Sequence, residues 1–170
     1  MIRPMTLEDL EVVNEIYNDA ILNTTALYKY SPETIEQRIE WFNAKQQNND
    51  PSFVFEENGE VAGFATYSQF RPYPAYKYTV EHSVYVHNNH QRKGIATKLL
   101  KHLIAEAEQQ QVKTIIACID SSNEGSIIAH EKLGFYYTGK INNAGYKFGR
   151  WLDIVYYQLD LKGPDFPNEK

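Results

Sequence analysis

Cysteine occurs once in this 170-residue chain, at Cys118, so no disulfide within the chain staples the fold. It sits in the apolar run Thr114–Ile119 with no basic residue beside it, a pattern that predicts a buried, inert thiol. No apolar run has the length to span a membrane, and the start, MIRPMTLEDLE, lacks the apolar stretch of a signal peptide. The expectation is a cytoplasmic protein with no membrane partner. A basic excess is missing too: 17 Lys and Arg face 22 Asp and Glu, a formal net charge of -5 that argues against a general nucleic-acid binder. Repeats and linkers are also absent, so the expected organisation is one domain over residues 1–162 followed by a loose polar tail, 163–170.

What is present is an ordinary globular balance with an unusual share of tyrosine. Hydrophobic residues make up 42% and charged residues 23%, and aromatics reach 14% with 13 Tyr. Tyrosine suits half-buried sheet surfaces, so most of these rings are assigned to strand packing and the rest to a pocket.

The order of elements follows from periodicity and punctuation. Ile2-Arg3-Pro4 reads as a short edge strand, and Thr6 with Glu8 and Asp9 opens a helix over Leu7–Leu22. Ser31-Pro32-Glu33 carries the residues that start a second helix. Asn58-Gly59 joins Phe53–Glu56 to Val61–Gln69 as a hairpin. Strand Thr79–Val86, helix Gly94–Gln110, strand Thr114–Ile119 and helix Ser122–Leu133 follow. Phe135–Lys140 and Leu152–Leu161 read as strands around an irregular loop, Asn142–Trp151. The predicted class is α/β, a three-layer fold with a mixed central sheet of about seven strands and helices on both faces.

One stretch carries chemistry on its face. In Val80–Leu100 an alternating strand enters a polar loop, Gln91-Arg92-Lys93-Gly94-Ile95-Ala96, which runs straight into an amphipathic helix. The first turn of a helix has unpaired N–H groups and a dipole favouring negative charge, so the arrangement suits a polyanion. Gly94 permits close backbone approach, and Arg92 and Lys93 add mobile positive charge at the same place. The alternative is an ordinary solvated basic turn. The spacing fits neither the Walker loop nor GxGxxG.

The six residues fit Q/R-x-x-G-x-G/A, and with them the chain resembles the GCN5-related N-acetyltransferases. Within that superfamily it resembles the phosphinothricin and methionine sulfoximine N-acetyltransferases. The resemblance rests on Ile16-Tyr17-Asn18, the strand Tyr-Thr-Val-Glu to Val-Tyr-Val, the loop, His130–Phe135 and Gly145–Asp153. It implies acetyl transfer from acetyl-CoA to a primary amine by direct attack, with both substrates bound together and no metal. It also implies a homodimer.

In that reading the backbone of Gln91, Arg92, Lys93, Gly94, Ile95, Ala96 and Thr97 holds the pyrophosphate, helped by the Arg92 and Lys93 side chains. The pantetheine arm pairs with the strand end Val84-Tyr85-Val86, where the Val86 N–H polarises the thioester carbonyl. Asn123 matches a coenzyme-contacting asparagine, and it equally suits a helix N-cap. Glu81 matches the glutamate that takes the amine's proton; the alternative is a surface carboxylate. His82 is a second base candidate, although alternation turns it the other way. His130 stands where many relatives carry a proton-donating tyrosine; it reads equally as a helix histidine packed near the loop, with Tyr136 or Tyr137 as substitutes.

Arg71 would clamp the acceptor's carboxylate, with Tyr30, Tyr73, Tyr76, Lys147 and Trp151 lining the pocket. Tyr73 departs from the R-x-R-x-A-Y pattern of the family, where an arginine is usual, and Leu27-Tyr28 departs as well. Both departures bear on the acceptor and leave the acetyl-transfer chemistry alone. Two competing readings stand beside the amino-acid acetyltransferase: an enzyme for peptide N-termini or polyamines, and a non-catalytic acyl-CoA-binding module.

Overall fold

The computed structural model describes residues 1–170. The elements are β1 (Ile2–Pro4), α1 (Leu10–Asn23), α2 (Ile35–Gln47), β2 (Ser52–Glu57), β3 (Glu60–Gln69), β4 (Thr79–Val86), α3 (Ile95–Gln109), β5 (Thr114–Asp120), α4 (Glu124–Lys132), β6 (Tyr136–Lys147) and β7 (Arg150–Asp160). The strands form one seven-stranded sheet in the order β1-β2-β3-β4-β5-β7-β6. It is mixed: β4 and β5 run parallel, whereas β1–β2, β2–β3, β5–β7 and β6–β7 are antiparallel. No helix is long and apolar enough to cross a membrane.

The chain divides into two compact units. The first comprises Met1–Ser68 and Ser83–Ile104. Its core gathers Met5, Leu10, Val13, Ile16, Phe42, Val54 and Phe64, the inward positions of α1, α2, β2 and β3. Arg38 is buried in this unit because two aromatic rings and an anion receive it. Its guanidinium lies 4.1 Å from the Tyr17 ring and 4.7 Å from the Trp41 ring, and it donates to Glu33 at 2.8 Å. Gly63 marks a close approach: a Cβ there would stand 2.9 Å from the Tyr85 carbonyl oxygen and 3.3 Å from Ile95 and Leu99 side chains.

Two boundaries in this unit differ from the sequence reading. Residues Leu7–Asp9 form a 3-10 turn before α1, since Asp9 accepts from the Thr6 N–H at 2.8 Å and from Arg3 at 2.8 and 2.9 Å. Helix α2 starts three residues later than Ser31-Pro32-Glu33 predicts. Thr34 is its N-cap and forms a capping box with Gln37, while the Glu33 backbone is committed to Asn14 and Asn18.

The second unit comprises Gln69–His82 and Ala105–Lys170. Strand β5 pairs with β7 over seven residue pairs, Thr114↔Asp160 to Asp120↔Ile154. Val80, Ile115, Ala117, Ile119, Val155 and Tyr157 are buried together on one face. The segment expected as an irregular loop, Asn142–Trp151, instead extends β6 and β7 into a long hairpin. Phe148 and Gly149 turn it with φ of 52° and 74°, the paired left-handed residues of a tight two-residue turn. A bulge between Ile141 and Gly145 absorbs the extra residues, and Asn143 within it donates its N–H to Asp153 at 2.7 Å. The C-terminal tail is tied down at Lys77, whose ammonium donates to Asn168 at 2.8 Å and to the Lys170 carbonyl at 2.9 Å.

Candidate active site

In the first unit, β4 leads through a 3-10 turn at Asn88–His90 into the loop and α3. Arg92 and Gly94 adopt φ of 64° and 74°, so the chain turns sharply twice before the helix. A non-glycine residue held in the left-handed region is a strain that clusters at functional loops. Gln91 braces the turn by donating its side-chain amide to the Val86 carbonyl at 2.9 Å. Lys98 N–H donates to the Gly94 carbonyl at 3.1 Å, so the amides of Ile95, Ala96 and Thr97 precede the first helical bond and are the unpaired donors of the first turn. Val84, Tyr85 and Val86 lie on β4 ahead of the loop, with Tyr85 packed edge-on to Tyr17 and tilted against Phe64.

The Arg92 side chain is exposed. Lys93 is not the mobile cation that its sequence suggests. Its ammonium donates to Glu57 Oε2 at 3.0 Å, and the same oxygen accepts from His90 Nδ1 at 2.9 Å. Tyr30, also in this unit, is 70% exposed.

In the second unit the ladder between β4 and β5 runs from Thr79↔Thr114 to Glu81↔Ile116. Neighbours in register share a face, so Glu81 lies on the face of Ile116 and Cys118, and Cys118 pairs directly with Tyr156. Half-burial raises the Glu81 carboxyl above its ordinary range, and the Arg71 guanidinium opposes this. Cys118 is exposed, contrary to the buried thiol expected from its apolar run. That run is buried at Ile115, Ile116, Ala117 and Ile119 and opens at Cys118. Its sulfur is nonetheless partly shielded; this shielding, with the Glu81 carboxylate nearby, pushes the thiol up to about 11. Cys118 and Tyr156 are the two residues beside Glu81 that sequence reasoning missed, because a continuous apolar run does not reveal which position stays open.

His82 points to the opposite face. Its Nε2 lies 2.9 Å from His130 Nε2, in rings within 8° of parallel, and Phe135 closes edge-on over both. His130 Nδ1 lies 2.6 Å from the Ser126 carbonyl oxygen. A carbonyl only accepts, so Nδ1 carries the proton and Nε2 is the bare acceptor of the His82 Nε2–H. Both His130 nitrogens are therefore engaged within the fold, and the ring has no N–H to offer a departing thiolate. Burial pushes both imidazoles down, His82 to about 3. Asn123 is the N-cap of α4, its Oδ1 accepting from Ser126 N–H at 3.2 Å.

Around Glu81 the acceptor candidates divide. Arg71 stacks 4.1 Å from the Phe70 ring and donates to the Phe70 carbonyl at 3.0 Å. Gln69 ties the Arg71 and Tyr73 carbonyls at 2.7 and 2.8 Å, which fixes the course of the loop carrying Tyr73 and Tyr76. Tyr73 and Trp151 are exposed, the latter edge-on to Tyr146, whereas Lys147 is buried at the end of β6.

A family model, Acetyltransferase (GNAT) family, matches residues 13–135. The chain belongs to the acetyltransferase (GNAT) family. L-methionine sulfoximine/L-methionine sulfone acetyltransferase of Salmonella typhimurium is 43% identical over 153 residues, 90% of each chain. An N-acetyltransferase from Staphylococcus aureus Mu50 is 56% identical with a TM-score of 0.94, covering 95% of this chain and 98% of that one. The GNAT superfamily phosphinothricin acetyltransferase from Sinorhizobium meliloti, solved in complex with acetyl-CoA, gives a TM-score of 0.93 at 32% identity, covering 97% and 93%. The GNAT match contains Glu81, the loop, Asn123 and His130, and ends at Phe135; Tyr156 and Trp151 lie beyond it.

Proposed function

We propose that this chain transfers the acetyl group of acetyl-CoA to the primary amine of a small amino acid or analogue, of the methionine sulfoximine, methionine sulfone or phosphinothricin kind. The observation that carries this reading is Glu81: a half-buried carboxyl with a raised pKa, beside the Arg71 guanidinium, on the strand that leads into the Gln91–Thr97 loop.

The amine arrives protonated and must lose a proton to attack. Glu81 takes it, directly or through a water, and its raised pKa brings it closer to the amine it serves. The loop amides of Arg92 through Thr97 bind the pyrophosphate, and Arg92 adds a charged contact. Val84-Tyr85-Val86 receives the pantetheine amides, with the Val86 N–H placed to stabilise the oxyanion of the tetrahedral intermediate. The Asn123 carbonyl oxygen caps α4, which leaves its NH2 group as the donor towards the coenzyme. Collapse of the intermediate breaks the C–S bond. An alkyl thiol ionises near pH 8.5, so the thiolate leaves without a dedicated acid and takes its proton from water. Arg71 pairs with the acceptor's carboxylate, and Cys118 and Tyr156 share the face of Glu81. Tyr73, Tyr76 and Trp151 supply exposed aromatic surface in the same unit, whereas Lys147 is buried at the end of β6.

The exposed aromatics of the edge hairpin, Tyr136, Tyr137, Tyr146, Phe148 and Trp151, support assembly as a homodimer, which sedimentation at micromolar protein would detect. Acetyl-CoA is an intracellular metabolite, which supports a cytoplasmic site of action.

The test is release of free thiol from acetyl-CoA with a panel of methionine sulfone, methionine sulfoximine, phosphinothricin, ordinary amino acids, short peptides and polyamines. Saturable turnover with the amino-acid analogues establishes the reading. Turnover confined to peptides or polyamines replaces the acceptor, and coenzyme binding without any turnover replaces the enzyme with a binding module.

A further inference from the structure

Glu57 ends β2 at the lip of the Asn58-Gly59 turn, 36 residues before Lys93, yet one of its oxygens receives both the Lys93 ammonium and the His90 imidazole. Those two donors hold its carboxyl below the ordinary range, so it is an anion at neutral pH. The loop that ought to offer positive charge to a pyrophosphate thus already holds a carboxylate. We propose that Glu57 is an internal anion that competes with the coenzyme's pyrophosphate for Lys93, and so sets how tightly coenzyme is held and how readily the product CoA departs. This rests on the reading of Gln91–Thr97 as the pyrophosphate loop.

The same contact could instead brace the loop in its binding shape, and magnitudes decide between the two. Lys93 and Glu57 side chains are 48% and 33% exposed, and exposed pairs of this kind stiffen a loop very little. Against that small bracing stands the repulsion between a carboxylate and a pyrophosphate within reach of the same ammonium. The surroundings do not cancel it: Glu60 is the ladder partner of Glu57 and adds negative charge, while Glu56 is occupied by Arg3 at 2.8 Å. When phosphate arrives, Lys93 exchanges one anion for another, and the carboxylate keeps its contact with His90 but stands beside a like charge.

Acetyl-CoA and CoA carry the same pyrophosphate, so a contact of this sort acts equally on substrate and product. Uniform binding of that kind lowers the Michaelis constant without accelerating chemistry. Weakening it through Glu57 keeps the product from lingering.

The experiment is a calorimetric titration of CoA, which binds without reacting, into the wild-type chain, Glu57→Gln, Lys93→Met and the double variant, at low and at raised salt. The glutamine keeps size and an acceptor for Lys93 but removes the charge. The expected result is about fivefold tighter CoA binding by Glu57→Gln, with the gain shrinking as salt rises, and no gain when Lys93→Met is also present. The Michaelis constant for the acceptor should stay unchanged. Equal or weaker CoA binding by Glu57→Gln overturns the proposal and makes the contact a brace or a bystander. Failure of the wild-type chain to bind CoA overturns the loop reading itself, a result distinguishable from the first because no variant enters it.

Discussion

His82 and His130 are joined nitrogen to nitrogen at 2.9 Å, with His130 anchored in turn to the Ser126 carbonyl at 2.6 Å. The carbonyl fixes the direction of the whole chain of bonds: Ser126 oxygen accepts from His130, and His130 accepts from His82. The proton of His82 is on Nε2, and its enclosed Nδ1 is a bare acceptor without a partner. Part of the residue's surface meets solvent, but the ring is enclosed, and a second proton would charge a ring with no anion to meet it. The pair ties β4, one residue from Glu81, to α4.

Acid stability follows from this pair. Burial takes the His82 imidazole from 6.5 down to about 3 in the folded protein. Below pH 6.5 the unfolded chain binds a proton that the folded one refuses. Stability therefore falls as pH drops from about 6.5, and the loss is complete near 3. Inside that window one such group contributes a slope of about 1.4 kcal/mol per pH unit, and His130, lowered as well, steepens it. Asp9, held down by Arg3, adds loss at lower pH, whereas Glu81 and Asp50, both raised, act in the opposite sense. Urea midpoints from pH 7.5 to 4.5 for wild type and His82→Leu isolate the histidine: the variant should lose stability at pH 7.5 yet show a shallower pH slope. Parallel slopes would rule out the neutral buried pair.

Glu81 and His130 should separate in a pH–rate profile. A base must be deprotonated to act, so turnover should rise with pH through a midpoint above the 4.5 of an ordinary glutamate. Glu81→Gln should lower kcat by about 10²–10⁴-fold, the scale of general base catalysis, and remove that limb while coenzyme affinity holds. His130→Asn should instead cost thermal stability, leave that rising limb in place and reduce kcat by less than about tenfold, the loss of a positioning contact rather than a proton donor. A His130 variant that loses a hundredfold in kcat and changes the high-pH side of the profile would restore it as the acid.

Cys118 reports on the Glu81 charge. Its thiol is pushed up to about 11 by partial shielding and by the carboxylate nearby, so little thiolate exists at pH 8 and iodoacetamide should react slowly despite the residue's exposure. Removing the charge with Glu81→Gln lowers the thiol pKa, and alkylation at pH 8 should speed up severalfold, since the thiolate is the reacting form. A saturating acceptor should protect the thiol in both proteins. Identical rates in wild type and variant would mean that the two side chains do not share one pocket.

The elements that are local in sequence are legible in the sequence itself. The Asn58-Gly59 turn, the β4 limits Thr79–Val86 and the amphipathic α3 depend on neighbours within a few residues, and each came out as the pattern predicts. The misreadings share a cause in distant partners or in near-equivalent local signals. Thr34 with Gln37 outcompeted Ser31 as a helix start because Asn14 and Asn18 hold the Glu33 backbone. Phe148-Gly149 was hidden as a turn because a phenylalanine rarely takes a left-handed φ. Lys93 reads as mobile because its partner Glu57 lies on another strand, and the sequence leaves His130 equally an acid or a packed helix histidine because its two bonds exist only once β4 and α4 are packed. The chemical type of the site is written in the loop and in Glu81. Which side chains are already engaged is a property of the fold.

Gly63 offers the sharpest test of how β3, β4 and the start of α3 are held together in the first unit. A Cβ on it would meet the Tyr85 carbonyl at 2.9 Å, closer than such contacts occur, and the Ile95 and Leu99 side chains at 3.3 Å. Backbone cannot step aside as a flexible side chain can, so Gly63→Ala must displace β4 or the first turn of α3. Overpacking of this kind costs about 1–3 kcal/mol, which should lower Tm by several degrees. The displaced parts are the strand end Val84-Tyr85-Val86 and the leading amides of α3. Coenzyme affinity should therefore fall along with stability, whereas the slow alkylation of Cys118, which depends on the second unit, should be retained. A variant with wild-type Tm would show that the strands have slack there. One that loses stability but binds CoA undiminished would separate the close approach at Gly63 from the geometry of the loop.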